Sequence, residues 1–278
     1  MARRTVVAPV PSGDLVGWVE GAGPPVLLLH GGPGLSYTYL DDLAADLGPG
    51  YQRASFQQRG LPPSTSGGPF TVDRAVADVT AFLDALEWER AYVVGHSWGA
   101  HLLLHLAVSA PDRLLGGLAV DPLGGVADGG MASFERALAA RTPAEVRQRA
   151  IELDERAMRG DGTPDDLIES LRLLWPAYFA SPDRVPEMPD IRTSIEAYSG
   201  LSESLAAELP RLAAALPAVA VPFGFLVGAA SPMPVDEAAA PTVAVLPRAW
   251  LDIVEDAGHF PWYERPGCAR AALDRLVG

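Results

Sequence analysis

Short apolar runs alternate with amphipathic stretches along most of the chain, a pattern typical of a parallel sheet covered by helices. Residues 14–21 predict an early antiparallel strand, and residues 25–34 predict a buried strand that runs into a glycine-rich loop. Apolar residues recur at helical spacing between residues 71 and 88, which predicts an amphipathic helix. Further strands are predicted within residues 51–60, 91–96, 115–121, 221–230 and 249–260, and a last helix within residues 266–277.

The pattern changes between residues 124 and 220, where no convincing buried strand is found. This segment carries helix starts instead. Thr142 with Glu145 predicts a capping box, and Thr163 with Asp166 predicts a close relative of it. We therefore predict a helical insertion at residues 124–220, within an α/β domain formed by residues 1–123 and 221–278.

Composition and charge narrow the class of protein. The 278 residues carry a formal net charge of −14 and no cluster of Lys and Arg, which argues against a nucleic-acid partner. Residues 212–235 lack charged side chains, but four prolines interrupt them, so we expect no membrane-spanning helix there. Cys268 is the single cysteine, and the first residues do not read as a secretory signal. A cytoplasmic protein is expected.

The stretch from Gly95 to Gly99 matches the pattern G-x-S-x-G, with Ser97 at its centre. An apolar strand precedes the pattern and an apolar-periodic helix follows it, which is the context that a nucleophile elbow requires. At the start of a helix the serine also lies near free N–H groups and the positive end of the helix dipole. Ser97 is therefore predicted to be a catalytic nucleophile.

A serine nucleophile needs a base, and His259 is the best candidate among the five histidines. It follows the last predicted strand, and in sheets of this kind reactive groups collect beyond the carboxyl ends of the strands. Acyl transfer also needs two N–H donors directed at the oxyanion. Trp98, directly after the nucleophile, and Gly32, in the early glycine-rich loop, are predicted to supply them.

At these motifs the sequence resembles the α/β-hydrolase superfamily, and more narrowly its proline iminopeptidase-related branch. The motifs that carry the resemblance are His30–Gly34, Gln57–Gly60, Gly95–Ala100 and Gly258–Pro266. The resemblance implies an α/β fold with an eight-stranded, mostly parallel sheet and a helical cap inserted after the sixth strand. This position agrees with the helical block at residues 124–220.

The sequence departs from that branch at two positions. Gln57 stands where the branch carries an acid, and Ser231 stands where the superfamily usually carries the triad acid after the seventh strand. Three other acids remain candidates. Asp121 ends the strand that the resemblance puts beside the nucleophile's strand, and it is preferred, with Asp236 and Asp256 as alternatives.

These residues predict a serine hydrolase that cleaves a small ester, lactone or amide through Ser97, His259 and Asp121. No metal or organic cofactor is implied. Three aromatic residues of the insertion, Trp175, Tyr178 and Phe179, are predicted to line a pocket for an apolar or aromatic small molecule.

Two other functions stay open at this point: a proline iminopeptidase-type aminopeptidase, and a ligand-binding pseudoenzyme on the same fold. Epoxide hydrolase and haloalkane dehalogenase chemistry is less expected, because those enzymes use a carboxylate nucleophile where this chain has Ser97.

Overall fold

Eight strands form one sheet in the computed structural model, which describes residues 2–278. The strands lie side by side in the order β1-β2-β4-β3-β5-β6-β7-β8. Their bounds are β1 Arg4–Val10, β2 Gly13–Gly21, β3 Pro25–Leu29, β4 Gln52–Phe56, β5 Ala91–His96, β6 Leu114–Val120, β7 Phe223–Gly228 and β8 Ala249–Val254.

The sheet is mostly parallel. Strand β2 pairs in antiparallel fashion with β1 and β4, while β3 to β8 run parallel to one another. This arrangement confirms the predicted eight-stranded, mostly parallel sheet. Its consequence for the site is that the carboxyl ends of β3, β5, β6 and β8 meet at one edge, where loops from distant parts of the chain converge.

Ten α-helices accompany the sheet in the described part of the chain. Their bounds are α1 Leu40–Leu47, α2 Val72–Ala85, α3 Trp98–Ser109, α4 Met131–Arg141, α5 Ala144–Arg159, α6 Pro164–Leu174, α7 Ile195–Ala215, α8 Ala239–Val245, α9 Pro261–Glu264 and α10 Cys268–Val277.

Both faces of the central strands are buried, which explains their continuous apolar sequences. Side chains alternate between the faces, so that Val93 of β5 joins the core under α2 and α3, whereas Val94 joins the core under α1 and α10. Among the helices within residues 2–278, none has the length and apolar character that crossing a membrane would require.

Helices α4 to α7 lie between β6 and β7, and the two predicted helix starts in this segment have different outcomes. Thr163 forms the predicted capping box with Asp166 at the start of α6. The prediction for Thr142 is wrong, because α5 begins at Ala144 and the Thr142 hydroxyl instead donates to the Leu138 carbonyl in the last turn of α4.

A buried ion pair joins the loop after β4 to helix α2. Arg59 donates from Nε to Oδ2 of Asp78 over 2.5 Å and from Nη2 to Oδ1 over 2.8 Å, and both residues are at most 3% exposed. The same guanidinium donates to the Ser12 hydroxyl in the β1–β2 turn and to the Gly67 carbonyl. Arg59 therefore connects helix α2, the β1–β2 turn and the loop segment at Gly67.

We expect Asp78→Asn to lower the free energy of unfolding by about 3–5 kcal/mol, because it leaves the Arg59 charge buried and unpaired. Asp84→Asn on the same helix is the matched control: Asp84 pairs with Arg113, but its side chain is 70% exposed. This control should cost less than about 1 kcal/mol. Urea unfolding followed by circular dichroism measures both, and equal losses would contradict the prediction.

Candidate active site

Ser97 lies at a sharp turn between β5 and α3, at the carboxyl edge of the sheet. Its backbone has φ 54° and ψ −117°, a conformation that L-residues other than glycine rarely adopt. The flanking glycines are required for close packing, since a Cβ on Gly95 would meet the Gly99 backbone and a Cβ on Gly99 would meet the Leu29 carbonyl. The serine is half-buried, and its hydroxyl has no hydrogen-bond partner within residues 2–278.

Asp121 and His259 are in direct contact beside this turn. Asp121 follows β6, His259 follows β8, and Asp121 Oδ1 lies 3.1 Å from His259 Nδ1. The carboxylate is fully buried and the imidazole is 4% exposed. The second oxygen, Asp121 Oδ2, accepts from the Gly228 N–H over 2.9 Å. A carboxylate on Nδ1 leaves Nε2 as the ring nitrogen that can exchange a proton with a substrate or nucleophile.

The two other candidate acids lie elsewhere. Asp236 is exposed in the turn before α8. Asp256 is exposed and pairs with Arg265, whose Nη2 lies 2.6 Å from Asp256 Oδ2. Neither carboxylate hydrogen-bonds to His259 in the part of the chain that the structure describes.

Ser231, which occupies the expected acid position, also contacts this carboxylate. Its hydroxyl donates to Asp121 Oδ1 over 2.5 Å, and it is 6% exposed. The sequence patterns do not reveal this contact, because it joins residues 110 positions apart.

A second set of hydrogen bonds links the glycine-rich loop, the turn at Ser97 and the loop that carries His259. The Gly31 N–H donates to the Tyr39 hydroxyl over 2.5 Å, and this hydroxyl lies 2.9 Å from His96 Nδ1. His96 Nε2 lies 2.9 Å from the His259 carbonyl. Because a carbonyl only accepts, Nε2 carries the proton and Nδ1 accepts from Tyr39. Sequence reasoning missed both Tyr39 and the role of His96.

The predicted oxyanion donors belong to two segments that adjoin Ser97, the glycine-rich loop and the start of α3. The glycine-rich loop packs against the serine, since a Cβ added to Gly31 would lie 3.1 Å from Ser97 Cβ. Among the described residues, neither the Gly32 N–H nor the Trp98 N–H has a hydrogen-bond partner. The Trp98 indole donates to the Gln58 side chain over 2.9 Å, and the Gln58 amide donates to the His30 carbonyl over 3.0 Å. Gln58 therefore ties the two donor segments together.

The three aromatic residues predicted to line a pocket separate into two environments. The Tyr178 ring lies 5.4 Å from the His259 ring, and the Phe134 ring lies 6.2 Å from the His259 ring and 6.1 Å from the Tyr178 ring. Trp175 and Phe179 are at most 4% exposed and pack on Phe260 in the core. Of the three, Tyr178 is therefore the one whose ring lies beside His259.

The alpha/beta hydrolase family model matches residues 26–273. This match covers most of the chain, so the protein belongs to the alpha/beta hydrolase family, the superfamily that the motifs indicate.

The similar proteins include epoxide hydrolase 2 from Siraitia grosvenorii, which is 35% identical over 99 residues, covering 34% of this chain and 31% of that protein. The chain thus aligns with about a third of the length of the curated relatives it matches.

Among solved structures, the crystal structure of VinJ is similar to this chain with a TM-score of 0.74 at 19% identity. The alignment covers 99% of this chain and 98% of VinJ. Proline iminopeptidase from Mycobacterium smegmatis has a TM-score of 0.67 at 24% identity, covering 99% and 97%. At identities below 25%, this structural similarity shows a shared fold and does not assign a function.

Four histidines around the site are buried and held neutral. Burial lowers the pKa of His30 to about 4, of His101 to about 4 and of His105 to about 3. Burial, and then the nearby His259, lowers the pKa of His96 well below 6.5. His101 and His105 are buried on α3 with their Nε2 atoms 3.2 Å apart.

These lowered pKa values predict that the protein loses stability in mild acid. Below about pH 6.5 the unfolded imidazoles bind protons that the folded ones do not, and each such histidine costs about 1.4 kcal/mol per pH unit. Above about pH 6.5 these histidines do not reduce the free energy of unfolding. The reduction grows as the pH falls, down to the folded pKa, which is about 4 for His30. Urea unfolding between pH 5 and pH 6.5 measures the slope. His105→Gln should make it shallower by about one histidine's share, and an unchanged slope would contradict the prediction.

Proposed function

We propose that this protein is a serine hydrolase that cleaves a small ester, lactone or amide. The observation that carries the proposal is the buried hydrogen bond between Asp121 and His259, at the sheet edge where Ser97 stands on its strained turn. An acid, a base and a nucleophile in the chain order Ser97, Asp121, His259 provide the parts of a catalytic triad.

In the proposed reaction Ser97 Oγ attacks the carbonyl carbon of the substrate and His259 Nε2 accepts the serine proton. Asp121 stabilises the resulting imidazolium through Nδ1–H. The tetrahedral intermediate collapses when His259 gives the proton to the leaving alcohol or amine, which leaves an acyl-enzyme on Ser97. A water molecule, deprotonated by His259, then attacks the acyl carbon; the bond to Ser97 Oγ breaks, His259 returns the proton to Oγ, and the acid is released.

The N–H groups of Gly32 and Trp98 are proposed to bind the oxyanion. Two observations support them: both lack other partners among the described residues, and Trp98 opens helix α3, where N–H groups are unpaired and the dipole favours negative charge. The neighbouring Gly31 N–H already donates to the Tyr39 hydroxyl, whereas the Gly32 N–H has no such partner among the described residues.

Residues 124–220 are proposed to act as a cap over this site. Tyr178 and Phe134, both from this segment, lie near the His259 ring, and their aromatic surface favours an apolar or aromatic substrate group beside the base. Trp175 and Phe179 support this wall from the core behind it.

Relatives named epoxide hydrolase and haloalkane dehalogenase support hydrolytic chemistry in general. Ser97 favours an acyl-enzyme over the carboxylate nucleophile of those enzymes. The proline iminopeptidase likeness keeps aminopeptidase activity as a second candidate, to be tested with the same set of substrates.

We expect a fluorophosphonate probe to label wild-type protein at Ser97 and to leave Ser97→Ala unlabelled, because only an activated serine reacts rapidly. Mass spectrometry of the labelled peptide identifies the site. An unreactive Ser97 would instead favour a ligand-binding protein on the hydrolase fold.

A panel of p-nitrophenyl esters, lactones and aminoacyl arylamides then identifies the class of bond that is cleaved. Turnover of prolyl arylamide alone would favour the peptidase.

The acid is tested by comparing Asp121→Asn with Asp236→Asn. We expect Asp121→Asn to lower kcat by up to about 10⁴-fold, since the imidazolium loses its counter-charge. Asp236 is exposed in a turn, so its variant should keep kcat within about twofold, as surface substitutions usually do. Near-wild-type turnover by Asp121→Asn would refute the assignment of the triad acid.

A further inference from the structure

One oxygen of the candidate triad acid accepts two hydrogen bonds. Asp121 Oδ1 accepts from His259 Nδ1 at 3.1 Å and from the Ser231 hydroxyl at 2.5 Å. The three side chains are at most 6% exposed, so water does not compete strongly for these bonds. Ser231 therefore donates to the same carboxylate oxygen that accepts from His259.

Ser231 is itself held in place by its backbone and by a neighbour in the chain. Its Oγ accepts from the Met233 N–H over 3.0 Å, which directs the hydroxyl proton away from Met233 and toward Asp121. The Ser231 N–H donates to the Gly228 carbonyl over 3.0 Å, and its own carbonyl accepts from Arg141 Nη2 over 3.3 Å. The donor is thus fixed before any substrate binds.

The carboxylate needs such a donor because no Lys or Arg side chain hydrogen-bonds to it among the described residues. Arg141 comes near but bonds to the carbonyls of Ala230 and Ser231 instead. A buried carboxylate without a paired cation is stable only when its oxygens accept hydrogen bonds. The Gly228 N–H satisfies Oδ2, and without Ser231 the bond from His259 would be the only hydrogen bond that Oδ1 accepts among the described residues.

We propose that Ser231 is a positioning residue for the triad, which orients and stabilises the Asp121 carboxylate so that Oδ1 faces His259 Nδ1. This inference rests on the proposed function, since it assigns Ser231 a role through Asp121. The competing explanation is that Ser231 only closes the turn between Gly228 and Met233. The two differ in one respect: a turn residue affects stability, whereas a positioning residue affects nucleophile activation only while Asp121 is present.

A double-mutant cycle separates the two explanations. Ser231→Ala, Asp121→Asn and the double variant are compared by the second-order rate of fluorophosphonate labelling at Ser97, and by kcat and KM on an ester that the wild type hydrolyses. We expect Ser231→Ala to lower the labelling rate and kcat by about ten- to hundredfold, with KM within about threefold, because a hydrogen bond to a charged group is lost. When Asp121→Asn is already present, the same change should cost less than about threefold.

The matched control is Ser55→Ala. Ser55 is fully buried in β4 and its hydroxyl donates to the Leu28 carbonyl over 3.1 Å, so the variant also removes a buried serine hydrogen bond. Its labelling rate should match the wild type. If Ser231→Ala does not fold, Ser231→Thr and Ser231→Val provide a pair of nearly equal shape, of which only the threonine keeps the hydroxyl. The valine variant should then react at least about tenfold more slowly than the threonine variant.

Three results would overturn the inference: wild-type labelling by Ser231→Ala, equal losses from Ser231→Ala with and without Asp121→Asn, or equal rates for the threonine and valine variants. A failure of the proposed function is seen separately, in the wild type and Asp121→Asn. If Ser97 is unlabelled, or if its labelling does not depend on Asp121, the triad is refuted and the role of Ser231 with it.

Discussion

The buried carboxylate of Asp121 is the constraint on which the site depends. A fully buried charge is costly, and here its oxygens are satisfied by His259, Ser231 and the Gly228 N–H. These partners come from the end of β7 and from the loops after β7 and β8, so the carboxylate holds both loops against the end of β6. The interaction that would orient the base is therefore also the one that stabilises the edge of the sheet.

The parallel order of the sheet makes this meeting possible. Strands β5, β6, β7 and β8 are consecutive neighbours, and their carboxyl ends present Ser97, Asp121, Ser231 and His259 along one edge. A second connection runs from Gly31 through Tyr39 and His96 to the His259 carbonyl. Because burial keeps His96 uncharged, this connection keeps one hydrogen-bonding pattern across neutral pH.

Much of the fold followed from pattern alone. The spacing of apolar and polar positions indicated the apolar strands, the helix after Ser97 and the helical block between β6 and β7. The prediction failed at Thr142, where the Thr-Pro-Ala-Glu sequence matches a capping box but the hydroxyl bonds back to Leu138. A local motif shows which contacts a residue can make, and the packing around the α4–α5 junction decided which one it made. Trp175 and Phe179 pack on Phe260, and their apolar sequence context fits a pocket lining and a core equally well.

The sequence by itself indicated the chain's family, the sharp turn at Ser97 and the candidate base, because glycines, a serine and a histidine at strand ends are local features with specific backbone requirements. It preferred Asp121 as the triad acid but left Asp236 and Asp256 as alternatives. Only the tertiary structure joined Asp121 to His259 across 138 positions and Ser231 to Asp121 across 110, while Asp236 stayed exposed. The physical reason is that hydrogen bonds between loops depend on strand order and register, which no short segment of sequence encodes.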